Sequence, residues 1–360
     1  MKVTLKSIAE SVGVSLTTVS RVLNNQSKRY RISSETEANI FRKAKELGYI
    51  PNQLARSLRM RRSNIIGLII PDISNPFFAQ LSRVIENEAR KKGYSIILSD
   101  TQEYKQLEID SIRLLQSRKV DGIILCPNGG ESAHIKKLIN SNLPTVIVDR
   151  YIKGLNCPYV ISDNYHGSYE AISHFIDKNH NNIACIQGHP MTSVNYDRVK
   201  GYKDALIEHN LPFNDAQIVG DSFGERNGYV SAKLLLSKHP WPSAIFACSN
   251  LISLGAMRAI LEEGLKIPED ISMISFDDQP YSEYLATPMT VVVQQTREMG
   301  QIGFNLLLAR LNQRSPATAE GVILPTKLVQ RRSVIDYNLS NNLKKSDRII
   351  NSQLSESVMI

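Results

Sequence analysis

No stretch of this chain stays apolar for the roughly 18 residues that a bilayer-crossing helix needs, so no membrane span is expected. The amino terminus, MKVTLKSIAESVG, carries Lys, Glu and Ser where an apolar signal core would sit. The expected location is therefore the cytoplasm. Cysteine is scarce: Cys126, Cys157, Cys185 and Cys248 are scattered without metal-ligand spacing and read as buried thiols in a reducing compartment. His174, His180 and His189 also lack metal spacing. No GxxxxGKS or GxxxxGKT loop, no HExxH and no GxSxG occurs. An enzyme is therefore not expected, nor a cofactor or bound metal.

Acidic residues are scarce in one place. Residues 1–62 hold 13 Lys/Arg against 4 Asp/Glu, whereas the rest holds 30 against 31. The whole excess positive charge thus sits in the first sixth of the chain, which points to a polyanion partner there. A solubilising basic tail would not carry the periodic apolar pattern found in that segment. At 42% hydrophobic residues, with a mean hydropathy of −0.21, the 360 residues suit a globular chain of two or three domains.

Within the basic segment, Leu5, Ile8, Ala9 and Val12 recur at helical spacing, with Thr4 as a cap. Gly13 breaks that helix and Ser15 can cap the next, which buries Val19, Val22 and Leu23. Two short helices with a tight turn read as helix-turn-helix. The second helix leaves Leu16, Thr17, Thr18 and Arg21 facing outward near its start, where a recognition helix meets base edges. Arg21 suits guanine, and Leu16 and Thr17 suit a thymine methyl or a hydroxyl bond. Thr18 and Ser20 suit phosphate. A third helix is expected from a Ser34–Glu37 capping box to Gly48, with Ile40, Ala44 and Leu47 on its apolar face. In YIPNQLARSLRMRRS, Pro51 suits a first helical position. The two turns to Arg59 are marginal in isolation. They fit either a basic linker or a segment that folds on DNA and wedges Leu58 into a base step.

TLKSIAESVGVSLTTVSRVLN, ELGYIPNQLARSL and IIGLIIPDISNPFFAQ together resemble the lactose-repressor/galactose-repressor family of bacterial transcription regulators, over about residues 3–334. The resemblance implies a headpiece at 1–50, a hinge at 51–62 and a periplasmic-binding-protein-like core at 63–335, followed by a tail at 336–360. It implies that Leu16, Thr17 and Arg21 read bases and that Leu58 intercalates. It extends the DNA-binding set to Thr4, Ser15, Thr18, Ser20, Asn24, Asn52 and Ala55. The loop NNQSKRYRISSET is longer and more basic than the family's usual one. It is similar to that of the fructose and sucrose repressors, and it puts Lys28, Arg29 and Arg31 near phosphates.

The fold class expected is α/β. Strand-like runs at Ile65–Ile70, Ser95–Leu98, Gly122–Leu125, Thr145–Val148 and Val160–Ser162 alternate with helical patterns. The rhythm then restarts at Ile183–Ile186, Ala244–Ala247 and Ile271–Phe276, so two successive lobes with parallel sheets are expected. Ligands of such sheets bind beyond the carboxyl ends of the strands. Asp72 to Phe78, Asp149-Arg150, a loop ending in Asp197-Arg198, Ser249-Asn250 and Asp277-Asp278 all fall there. Carboxylates, amides and arginine beside aromatic rings suit a polyol, although any single strand-end Asp or Asn is equally a turn former.

The resemblance implies an effector site made of Asp72, Asn75, Phe77, Phe78, Asp149, Arg150, Arg198, Phe223, Ser249, Asn250, Asp277 and Gln295. Ser249-Asn250 departs from the family's usual Asn-Asp, and GDSFGERNGY carries one extra residue. SFDD followed by Tyr281 and Leu285 is similar to the sucrose and fructose branch. A small sugar of the fructose type or its phosphate is therefore the expected effector, with a nucleoside as the alternative; a phosphate would need Arg150 or Arg198 free. Operator DNA and a second copy of the chain are the expected partners, the effector releasing DNA unless it acts as a co-repressor. By resemblance, 77–89 and 257–263 are the dimer faces. A transport-type solute-binding protein would share the core but would have no use for a basic helix-turn-helix.

Overall fold

A computed structural model describes residues 3–49, 62–237, 239–312 and 321–338. The chain divides into two compact units, Met1–Ser63 and Asn64–Ile360. The expected hinge positions Asn52, Ala55 and Leu58, and the tail from 339 onward, lie outside the described residues.

Among the described residues, the first unit holds three helices, α1 (Leu5–Val12), α2 (Leu16–Leu23) and α3 (Ser34–Glu46). Thr4 and Ser7 form a reciprocal capping box on α1. Gly13 then takes the left-handed conformation at φ +72, which a side chain would resist. Ser15 accepts from the Thr18 N–H and starts α2. The capping reading of α3 needs a correction. The cap is Ser33, extended at ψ 150 and accepting from the Thr36 N–H; Ser34 is already helical. Ile8, Ala9, Val19, Val22, Ile40 and Ala44 close a small core.

The second unit has two six-stranded sheets. One takes β1 (Ile65–Ile70), β2 (Ser95–Asp100), β3 (Gly122–Leu125), β4 (Thr145–Val148), β5 (Tyr159–Ser162) and β11 (Gly321–Leu324), in the order β11-β5-β4-β3-β1-β2. The other takes β6 (Ile183–Ile186), β7 (Ile218–Val219), β8 (Ala244–Ala247), β9 (Ser272–Phe276), β10 (Thr290–Val293) and β12 (Lys327–Val329), in the order β12-β10-β9-β8-β6-β7. All pairings are parallel except β10 with β12. Their continuous apolar runs follow from burial on both faces. The connecting helices are α4 (Pro76–Lys91), α5 (Lys105–Ser117), α6 (Ala133–Asn140), α7 (Asn164–Asp177), α8 (Ser193–Glu208), α9 (Glu225–Leu236), α10 (Asn250–Glu262) and α11 (Thr296–Leu311).

The lobes are not successive. After β10 the chain returns to the first lobe, where α11 buries Met299, Phe304 and Leu307 among Leu68, Leu81 and Val148. It then adds β11 to that lobe and crosses back to lay β12 on the second. Three strands of chain thus join the lobes where two consecutive lobes would have one.

Candidate functional site

In the first unit, α2 offers Leu16, 50% exposed, and the exposed Thr17. Ser15 and Thr18 are occupied with each other, their hydroxyls 2.9 Å apart. Asn24 donates to the Ser20 carbonyl at 2.5 Å, and Thr4 is spent on its capping box. These four side chains shape the helix ends as much as they offer a surface. Lys28, Arg29 and Arg31 are exposed. The Arg21 guanidinium lies over the Tyr30 ring, 3.8 Å from its centroid.

In the second unit, a narrow cavity of about 20 Å³ opens between the carboxyl ends of the two sheets. The first lobe supplies Asn75, Phe77, Phe78, Asp149 and Arg150, and the second Val194, Arg198, Phe223, Ser249, Asp277 and Gln294. Asn75 caps α4, accepting from the Phe77 N–H, which fixes the two phenylalanines in the first helical turn. Asp149 and Asp277 each follow the fourth strand from the far edge of their sheet and each sit in left-handed backbone, at φ +68 and +71. Asp is one of the few side chains that tolerate this conformation. Phe223 is held by close approach to Gly188, where an added Cβ would fall 2.1 Å from its ring.

The charges are buried and mutually arranged. Arg150 forks onto Glu103 at 2.8 and 2.6 Å and donates to the Pro127 carbonyl, with Asp149 at 3.7 Å. Burial opposes its charge, yet Glu103 and Asp149 together push its pKa up. Arg198 donates to Asn164 at 2.8 Å and to the Cys248 carbonyl at 2.6 Å, with its guanidinium over the Phe276 ring at 3.5 Å. Burial pushes Asp149 up to about 6, against the pull of Arg150 and Arg198. Burial also raises Asp277, against Arg198 and the 2.5 Å bond from the Gln294 amide. The oxygen of that amide, Gln294 Oε1, is buried without a partner, so it is open to a hydroxyl donor.

Hydrogen bonds cross from lobe to lobe around the cavity. Asn250 donates to Asn75 at 3.1 Å, the Tyr151 N–H to Ser193 at 3.0 Å and the Gly130 N–H to the Met191 carbonyl at 3.1 Å. The lobes are therefore closed on each other.

Several expected positions fall elsewhere. Asp72 accepts from the Ser74 N–H and hydroxyl, the turn-forming role, and does not line the cavity. Asn250 serves the lobe-to-lobe bond instead of the cavity wall. Gln295 donates to the Pro325 carbonyl and lines a wider recess of about 350 Å³ with Gln80 and Arg297. Its neighbour Gln294 faces the cavity. Asp197 and Arg198 are not in a loop: Thr192 accepts from the Asn195 N–H and starts α8 at Ser193, placing Arg198 on a rigid element. Glu103, Asn164, Val194 and Gln294 were not anticipated. Only Gln294 carried a sequence signal, since it follows the apolar run of β10. Among the described residues, no cluster of three metal-ligating side chains occurs and no helix is long and apolar enough to cross a membrane.

With this geometry in hand, comparison with known proteins is specific. The sequence model for bacterial regulatory proteins of the lacI family matches residues 4–52. That for periplasmic binding proteins and the sugar binding domain of the LacI family matches 63–332. The chain is 34% identical over 342 residues to the HTH-type transcriptional regulator DegA of Bacillus subtilis, covering 94% of this chain and 100% of that protein. It is 34% identical over 333 residues to a ribose operon repressor of Haemophilus influenzae, covering 92% and 98%. Among solved structures, the lac repressor dimer bound to operator and the anti-inducer ONPF superposes with a TM-score of 0.83 at 25% identity, covering 93% and 100%.

Proposed function

The chain belongs to the LacI family of bacterial regulatory proteins, and from that premise we propose that it represses carbohydrate-utilisation genes and is released from its operator by a neutral monosaccharide. The observation that carries the effector is the state of the two cavity arginines. Arg150 is forked onto Glu103 and Arg198 is held by Asn164 and the Cys248 carbonyl. Arg150 has its terminal nitrogens on Glu103, Arg198 spends Nε and Nη1 on neutral oxygens, and Asp149 and Asp277 add negative charge. A phosphorylated sugar would have to compete with Glu103 for Arg150 and sit beside Asp149 and Asp277 to reach Arg198. Paired carboxylates, the open Gln294 oxygen and three phenylalanine rings suit the hydroxyls and apolar face of a free sugar. A ribose operon repressor stands among the relatives, so ribose heads the candidates, ahead of fructose.

The DNA-binding surface proposed is Leu16, Thr17 and Arg21 for bases and Ser20, Lys28, Arg29 and Arg31 for phosphate. Two-fold symmetry of the operator calls for a homodimer. Exposed Leu254 and Leu261 on α10, with Tyr281 and Tyr284, support an interface on the second lobe beside the expected 257–263 face.

The test is calorimetric titration of the full chain with ribose, fructose, fructose 1-phosphate and hypoxanthine. A free sugar is expected to bind at least tenfold more tightly than its phosphate, and at about 100 times its Kd to stabilise the chain by about 2.7 kcal/mol. Tighter binding of the phosphate or of the purine would defeat the proposal. An effector that strengthens retention on operator DNA would reverse the regulatory sign to co-repression.

A further inference from the structure

The long loop between α2 and α3 is folded back on the recognition helix. The Asn25 N–H bonds the Val22 carbonyl and the Gln26 N–H bonds the Arg21 carbonyl, each at 2.9 Å. The Tyr30 N–H bonds the Gln26 carbonyl at 3.2 Å, and the Ile32 N–H bonds the Ser27 carbonyl at 3.0 Å. Ile32 packs on the headpiece core, and Asn25 and Arg31 make the reversals at φ +55 and +52. This path delivers Tyr30 to Arg21, with ring centroid and guanidinium 3.8 Å apart, while Arg29 approaches the same ring at 5.7 Å. Tyr30 remains 40% exposed, so burial in the core does not account for its position. Arg21 has no carboxylate partner among the described residues.

We propose that Tyr30 is a positioning residue for DNA recognition, holding the Arg21 guanidinium by its face so that its edge is presented to guanine. The proposal rests on the reading of Arg21 as a base contact. The chemistry is that of a flexible cation given one orientation. A free arginine distributes itself over many rotamers, and an aromatic surface selects those with the plane stacked upon it. Stacking uses the face and leaves the N–H groups at the edge, the groups that pair with guanine O6 and N7. Phosphate contacts from Lys28, Arg29 and Arg31 would add affinity without sequence preference.

The experiment is selection of the full chain from a pool of duplexes with both half-sites randomised, run on the wild type, R21A, Y30A and Y30F. Wild type should enrich a guanine at one position of each half-site, and R21A should lose that preference. Y30A should weaken the same preference about fivefold, the equivalent of one exposed cation–π contact, and leave other positions unchanged. Y30F keeps the ring and should match wild type. Y30A with an unaltered guanine preference, or with equal weakening on every sequence, would overturn the role given to Tyr30. If R21A left every position unchanged, the reading of Arg21 itself would fail.

Discussion

Asp149 and Asp277 occupy equivalent places in the two lobes, and their surroundings differ. Each donates its N–H to the next strand, to the Val160 and Val292 carbonyls respectively, and each turns through left-handed backbone. The residue that follows diverges. Arg150 turns into the first lobe's cavity wall, while Asp278 pairs with Arg331 at 2.8 Å. As a result Asp149 faces cations, Arg150 and Arg198, whereas Asp277 accepts a neutral amide from Gln294 and faces only Arg198. The comparison teaches that strand topology fixes where a carboxylate sits, and that its charge is governed by side chains from elsewhere in the chain.

The largest break in this pairing is expected from Asp277→Ala. It removes a proposed sugar ligand and the carboxylate that favours the Arg198 charge most. Truncation of such a buried partner costs about 2–5 kcal/mol, so effector affinity should fall a hundredfold or more in calorimetry. A response within a few fold of wild type would put Asp277 outside the site.

Next comes pH. Unfolded, the Asp149 carboxyl loses its proton near 4; folded, it keeps it to about 6. The folded chain therefore binds more protons between those values, and this group's contribution to stability falls as pH rises from about 4 to about 6, then stays level. Asp149→Asn removes that dependence. It should raise the stability of the ligand-free chain at pH 7.5 by on the order of 2–3 kcal/mol, read as a shift in the urea midpoint, with little gain at pH 4. A gain of equal size at both pH values would contradict the burial-driven shift.

The smallest effect sharpens the second-lobe side. Gln294→Ala should weaken sugar binding about tenfold, since it removes the amide on Asp277 and the open oxygen. Gln295→Ala, at the next residue along the chain, should change affinity by less than about 0.5 kcal/mol. Equal losses from both would mean that the Asp277 contact has no bearing on the ligand.

Much of this was legible in the residues. Ile65–Ile70, Gly122–Leu125 and Thr145–Val148 appear in the structure with the bounds that periodicity gave them, because local pattern and local backbone preference agree there. The strand-end aspartates were visible for the same reason. Helix starts were less so. Thr192 and Ser249 each cap a helix, and Ser33 caps α3 one residue before the expected box. The return of α11 and β11 to the first lobe was not visible, because its apolar residues Met299, Ile302, Phe304 and Leu306–Leu308 are spread around the helix and carry no lobe label.

The amino-acid order by itself determined the class of the molecule: a basic helix-turn-helix ahead of parallel α/β lobes, with carboxylates at strand ends. Tertiary structure alone decided which charges are spoken for. Arg150 meets Glu103 across 47 residues and Arg198 meets Cys248 across 50. Such separations are closed by the chain crossovers, and periodicity, which reports only neighbours within a few residues, carries no information about them.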